Sequence, residues 1–275
     1  MISVICAYNK EQTFNACLLK SLSEQKTHCE VIAVDNTKSR FKSAAAAFNW
    51  GGTRAAGDYL MFAHQDIDLR SDSWFEGTEE LLNSLPDLGI AGVAGISERG
   101  RPSTGRRRNT IHRTTQAQRR NVITHGPQRQ RWGTPIQKPE RVQTLDECLV
   151  IIPKSMFKML QFDEVTCDSW HLYAADYCLS VMERGFGVYA IPRCVYHQSK
   201  GYQEPGTLRA IVALALPEEY YRTLERVLKK HKAHYKWIHT SIASWNATYP
   251  LGLQRAKLVI TDFVLSRIFK IDGGG

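Results

Sequence analysis

The first hundred residues alternate short, continuously apolar runs with helical patterns, and that alternation restricts the fold more than any other feature of the chain. "ISVICAY", "CEVIAVDN", "DYLMFAHQD" and "GIAGVAGIS" are brief and apolar on both faces, as strands covered from above and below must be. Between them lie "EQTFNACLLKSLSEQ", with Phe14, Cys17, Leu18 and Leu22 at helical spacing, and the alanine-rich "KSAAAAFNWGGTRAAG". Buried strands joined by helices predict an α/β fold with a mainly parallel sheet. A further helix is expected in "SDSWFEGTEELLNSLP", capped at Ser71 or Asp72 and stopped at Pro86. Later come a strand "VQTLDECLVIIP", helices "KSMFKMLQF" and "HLYAADYCLSVMERG", and a last strand "GVYAIPRCVYH". Beyond Gly201 the pattern turns helical, in "PEEYYRTLERVLKKHKAHYKWIHTSIASW" and "LQRAKLVITDFVLSRIFK". The expected division is an α/β domain over 1–205 and a C-terminal helical extension over 206–275.

The formal charge of +9 would suggest a polyanionic partner if it were spread over the fold. It is not. Residues 99–141 hold eleven Arg and one Lys against one acid, Glu140, which exceeds the charge of the whole chain. That segment loses all periodicity, as a lid, a docking surface for an anionic acceptor or membrane, or an unstructured insertion would. No RRM, KH or zinc pattern supports nucleic-acid binding. The seven cysteines are odd in number, scattered and mostly within apolar runs, which suits reduced thiols in a cytoplasmic protein. Met1 leads straight into the first strand without a basic n-region, so no signal peptide is expected. No apolar run is long enough to span a bilayer.

In an open α/β sheet, ligands collect at the carboxyl ends of the strands. Asn9 follows the first such strand and Asp35 the second. His64, Asp66 and Asp68 follow the third, and His197 ends the last. No GxGxxG follows the first strand and no Walker lysine is present, so a nucleotide would have to be held by carboxylates and a metal. In an extended segment His64, Asp66 and Asp68 share one side, where acids coordinate a hard divalent cation that in turn clamps a diphosphate. The same acids could instead cap the helix expected after them.

Taken in order, "ISVICAYN", "EVIAVDN", "AAAAFNWGGTRAAGDYLMFAHQD", "LDECLVIIPKSMFKMLQFDE" and "HLYAADYCLSVMERGFGVYAIPRCVYHQSKG" resemble the family 2 glycosyltransferases. The resemblance spans roughly residues 2–201, with the basic segment inserted. It implies the GT-A fold, a Rossmann-like mixed and mainly parallel sheet flanked by helices, and inverting transfer from a nucleotide-diphospho-sugar to an acceptor hydroxyl. It places Ala7, Tyr8 and Asn9 beside the nucleotide, Asp35 on its base, usually uracil, and Asn49, His64 and Gln65 nearby. Relatives read Phe-Leu-Asp-x-Asp where this chain has Phe62-Ala63-His64-Gln65-Asp66. On that register Asp66 binds the metal, Mn2+ or Mg2+, and His64 replaces the first acid. Asp68 then falls beyond the motif as the weaker ligand, while His197 completes the site. Lys200, by its own chemistry, is either a point charge for a phosphate or a solvated lysine.

The family's Glu-Asp-x-Asp is reduced here to Tyr173-Ala174-Ala175-Asp176, which leaves Asp176 as the expected general base. Asp146 matches an acid lining the acceptor pocket, and Trp170 and His171 offer a stacking platform for a sugar, or else core packing. The acceptor would be a saccharide or a lipid-linked one, in polysaccharide, glycolipid or cell-surface glycan synthesis. Lys229, Lys230, Lys232 and Lys236, interleaved with Tyr221, Tyr235 and Trp237, read as an ordinary helical cap or as a peripheral attachment to the inner face of a membrane. Two other functions share these features. A non-catalytic nucleotide-sugar-binding protein would tolerate the reduced base motif. A sugar-phosphate nucleotidylyltransferase would need a glycine-rich basic loop after the first strand, which "AYNKEQTF" lacks.

Overall fold

Ile2–Tyr8 is apolar along most of its length because, as β1, it has a strand on each side and layers above and below. The computed structural model describes residues 1–97, 119–121, 123–125, 130–198, 216–258 and 260. β1 pairs in parallel with β2 (Glu30–Asp35) and β3 (Tyr59–Ala63). β12 (Leu149–Pro153) runs antiparallel to β3 on one side and to β5 (Leu88–Gly92) on the other. β13 (Gly187–Ala190) joins β5 in parallel, and β10 (Glu140–Arg141) closes the edge antiparallel to β13. The seven-stranded order is β10-β13-β5-β12-β3-β1-β2, a mixed and mainly parallel sheet as the sequence predicts.

A helical stretch of α1 (Glu11–Phe14), a π-helical turn Asn15–Leu19 and α2 (Lys20–Ser23) covers one face. α3 (Ala44–Gly52) covers the other. Ser43 starts α3 by accepting the amide of Ala46 at 3.2 Å. Its small residues let the helix close on the sheet: a Cβ at Gly51 would lie 2.5 Å from Ile5 Cγ2. Beneath it Phe48, Phe62, Phe157 and Phe162 interlock at centroid distances of 5.0–6.1 Å. Each such fully buried ring contributes about 1.5–3 kcal/mol over an exposed one. α4 (Thr78–Asn83) and α5 (Lys154–Met159) are short.

Several elements depart from the sequence reading. "CEVIAVDN" is apolar yet forms the sheet edge, so most of β2 is only partly covered. The helix expected from Ser71 begins at Thr78, after Gly77 at φ 66°. "VQTLDECLVIIP" divides into β11 (Thr144–Leu145) and β12, because the acids Asp146 and Glu147 interrupt it. "GVYAIPRCVYH" divides at Pro192 into β13 and β14 (Val195–His197), and β14 leaves the main sheet. It pairs with β4 (Ile67–Asp68) and β8 (Ile123–His125), and β8 pairs with β9 (Gln130–Trp132). A three-stranded sheet joins β11, β6 (Gly95–Ile96) and β7 (Arg119–Arg120). The basic segment, expected to be irregular, therefore contributes β7–β10, while much of 99–141 lies outside the described residues.

α6 (Tyr173–Met182) is buried at every position from Tyr173 to Val181, between the sheet and α7 (Glu218–His231). α7 turns Tyr220, Tyr221, Leu224, Val227 and Leu228 inward, with glutamates in its first turn and lysines in its last, as its dipole favours. The helix ends at His231 rather than continuing to Trp245. The chain instead forms the hairpin β15 (Trp237–His239) and β16 (Ser244–Asn246), pinned by Trp245, then two helical turns over 251–258. Among the described residues no helix is long and apolar enough to cross a membrane.

Candidate active site

The strand β3 ends where its pairing with β12 ends: His64 N donates to Cys148 O at 2.9 Å, and the chain then turns through Gln65 and Asp66. Gln65 ties this turn to the end of β1. Its Oε1 accepts the amides of Asn9 and Lys10 at 3.1 and 2.9 Å, and its Nε2 donates to Asn9 Oδ1. From the separate four-stranded sheet, β14 brings in His197, fixed by its register with Ile67 and by Gln198 N donating to Asp66 O at 2.9 Å. His197 Nε2 stands 3.2 Å from Asp66 Oδ1 and 3.5 Å from His64 Nδ1, and the ligand atoms of all three residues lie within 4.8 Å of one another.

The protonation of this triad follows from its surroundings. Tyr173 gives its single hydroxyl proton to Glu147 O at 2.8 Å, so its oxygen accepts from His64 Nε2 at 3.4 Å. That leaves the His64 Nδ1 lone pair directed at the triad. Burial, reinforced by the neighbouring His197, lowers His64 to about 4 and keeps it neutral. Burial would raise Asp66, but the hydrogen bond and charge of His197 prevail and hold it near 2. A neutral imidazole, an ionised carboxylate and a second imidazole meet the needs of a first-row divalent metal. Their spacing also suits one, since ligands about 2.1 Å from an octahedral ion lie about 3 Å apart.

The triad lies in the wall of a cavity of about 800 Å³, within the size range of a bound cofactor or substrate. Of the residues singled out in the sequence, Ala7, Asn9, His64, Gln65, Asp66, Asp146, Trp170, His171 and His197 line it. Others do not. Tyr8 stacks on Phe14 at 4.7 Å, interplanar angle 7°. Asp35 is exposed and accepts both the amide and the hydroxyl of Thr37, hydrogen bonds that hold its carboxyl below the usual range. Asn49 is buried and clasps Phe162 and Glu164, holding α3 to the loop before α6. Asp68 lies in β4, where its Oδ1 caps the amide of Arg70 at 2.6 Å. Lys200 lies outside the described residues.

Asp176 requires correction as the expected base. It is 1% exposed and absent from the cavity wall. Lys230 Nζ contacts both of its oxygens at 2.8–2.9 Å, and His231 Nε2 lies 2.9 Å from Oδ1. A carboxylate so neutralised and enclosed cannot meet an acceptor hydroxyl. Besides Asp66 of the triad, the acids that line the cavity are Glu219 and, at the break between β11 and β12, Asp146 and Glu147. Asp146 Oδ1 accepts the amide of Cys148 at 3.1 Å. Glu147 sits where α6 begins, next to Leu172, whose left-handed φ of 65° in a non-glycine residue costs about 1–2 kcal/mol. Burial, with Asp146 adding to it, pushes Glu147 up to about 8 against the amides of α6, and its Oε1 has no hydrogen-bond partner. Two consecutive acids breaking an apolar run were the sequence signal for Glu147.

The mixed, mainly parallel sheet carries an acid–histidine cluster at its strand ends beside a nucleotide-sized cavity, the arrangement expected of a GT-A glycosyltransferase. A family model described as "Glycosyltransferase like family" matches residues 3–204, and the chain belongs to that family. No curated protein matches it by sequence. Among solved structures it resembles the mannosyltransferase PcManGT from Pyrobaculum calidifontis in complex with GDP-Man and Mn2+. The TM-score is 0.52 at 12% identity, over 100% of this chain and 76% of that one. It also resembles GalNAc-T7 with UDP, GalNAc and Mn2+, TM-score 0.52 at 10% identity, over 94% of this chain and 53% of that one. At those identities the likeness concerns the fold.

Proposed function

We propose that the protein moves a sugar, with inversion, from a nucleotide-diphospho-sugar to an acceptor hydroxyl, using Mn2+ held by His64, Asp66 and His197. The carrying observation is the convergence of those three ligand atoms in the cavity wall. Two imidazoles in the set favour Mn2+ over Mg2+, which prefers oxygen ligands. When bound, the metal neutralises charge on the departing diphosphate. Gln65 holds the triad's turn to the end of β1, and Tyr173 fixes the tautomer of His64. Asp146 takes the acceptor's proton in this reading. It is the carboxylate in the cavity beside a Glu147 whose raised affinity for protons leaves it neutral near pH 7.

Titration of UDP and GDP into the protein by calorimetry, with and without Mn2+, tests the reading. Binding of at least one nucleotide that requires Mn2+ is expected, with UDP the first to try. If neither binds under either condition, the reading fails. Asp146→Asn should lower kcat about 10²–10⁴-fold while Mn2+-dependent nucleotide binding persists. A variant retaining most of its turnover would remove Asp146 from the role of base.

A further inference from the structure

The family match ends at residue 204, yet Glu219, Tyr220, Thr240, Ser241 and Ile242 line the same cavity as the metal triad. They come from the first turn of α7 and the turn of the β15–β16 hairpin. This wall is fixed to the rest of the fold. Gln143 grips the hairpin from both sides, donating to Trp237 O at 2.9 Å and accepting His239 N at 2.7 Å. Ser169 Oγ meets Thr223 Oγ1 at 2.9 Å, and Tyr220 OH meets Thr240 Oγ1 at 3.4 Å. His171 touches this wall, 3.5 Å from Glu219 and edge-on to Tyr220 at 5.7 Å, while Trp170, which also lines the cavity, stays 36% exposed.

We propose that this C-terminal wall, together with Trp170, His171 and Glu147, forms the acceptor subsite, and that the acceptor is an uncharged saccharide. The proposal rests on the glycosyl-transfer reading above. Two kinds of group converge here that suit a neutral sugar ring. Trp170, His171 and Tyr220 offer aromatic surface to its apolar C–H face. Asp146, Glu147 and Glu219 offer carboxyl oxygens to its hydroxyl protons. Glu147 Oε1 is enclosed and unpartnered, the condition of a buried acceptor that a ligand hydroxyl would satisfy. Against these three acids, Lys42 is the one Lys or Arg among the described lining residues. A carboxylate or phosphate on the acceptor would therefore meet the carboxylates of Asp146 and Glu219, and the subsite selects against it.

The test measures release of nucleoside diphosphate from UDP- and GDP-sugars in Mn2+, alone and with added methyl glycosides. The uncharged set is the methyl glycosides of glucose, galactose, mannose and N-acetylglucosamine; methyl glucuronide and glucose 1-phosphate form the anionic set. At least one uncharged glycoside should accelerate release and neither anion should. Glu219→Gln and Trp170→Ala should each raise the half-saturating concentration of that glycoside about tenfold, while that of the donor moves less than about twofold. The proposal is overturned if an anion is the better stimulator, or if no glycoside stimulates although donor is still cleaved. It is also overturned if both variants keep the glycoside's half-saturating concentration within about twofold of wild type. Absence of any Mn2+-dependent nucleotide binding sinks the transferase reading itself, a result separable from all of these.

Discussion

Near the start of α6, three ligand atoms from His64, Asp66 and His197 converge within 4.8 Å in a cavity wall. One turn further along the same helix, Asp176 faces Lys230 and His231, His231 continues to Glu183 at 2.6 Å, and Lys230 also reaches Asp163 at 2.9 Å. Both clusters are made of histidines and carboxylates. The second supplies its own cation, Lys230, and uses both oxygens of Asp176, so it needs nothing from outside. The first gathers lone pairs toward one point and is completed by an added cation. Asp163 shows the same self-sufficiency: burial opposes ionisation, and the Thr166 amide and Lys230 overcome it, holding the carboxyl well below its usual range. Saturation marks a cluster that maintains the fold, and convergence beside a cavity marks one that acts on a ligand.

That contrast breaks most visibly under substitution. Lys230→Ala should leave Asp176 buried with its charge only partly compensated, costing about 3 kcal/mol, and should lower Tm in a thermal melt by roughly 6–12 °C. Asp66→Ala should leave the metal-free Tm within about 3 °C but weaken Mn2+-dependent nucleotide binding at least about 100-fold by calorimetry. If Asp66→Ala unfolds the protein, or Lys230→Ala melts like wild type, the two clusters are not different in kind.

Glu147 sharpens the comparison through pH. A carboxyl raised to about 8 in the folded state binds more protons folded than unfolded. Its contribution to stability is therefore complete below the unfolded carboxyl range and is lost as pH rises toward 8. Wild-type Tm should fall between pH 5 and about 8 more steeply than that of Glu147→Gln; parallel curves would place the ionisation elsewhere. The smallest effect belongs to Asp68→Ala. Its carboxylate caps a local turn, so Mn2+-dependent nucleotide affinity should change less than about twofold. A loss equal to that of Asp66→Ala would shift the metal register by two residues.

Much of the sheet was legible because buried strands must be apolar on both faces: β1, β3, β5 and β12 were all recognisable from that alone. The reversed direction of β12 between β3 and β5 was not, since an apolar run carries no mark of parallel or antiparallel pairing. Nor was β2 as an edge, for its residues are as apolar as those of β1. The cluster of His64, Asp66 and His197 came from matching motifs in order along the chain, whereas the departure of β14 into a second sheet depends on pairings set by distant residues. Asp176 misled because a carboxylate at a helix start looks the same whether it faces solvent or a lysine 54 residues away. Glu219 and Tyr220 offered no signal at all. Their place beside His171 arises only when α7 folds back onto α6.

The buried ion pair between Asp176 and Lys230 crosses the limit at which the family match stops. A chain cut after residue 204 would keep every residue of the metal triad and still hold, in the middle of its core helix, a negative charge with no counter-ion. The segment that the family model covers is therefore shorter than the segment that keeps this charge paired. Any attempt to isolate, shuffle or transplant this catalytic domain has to carry α7 along with it.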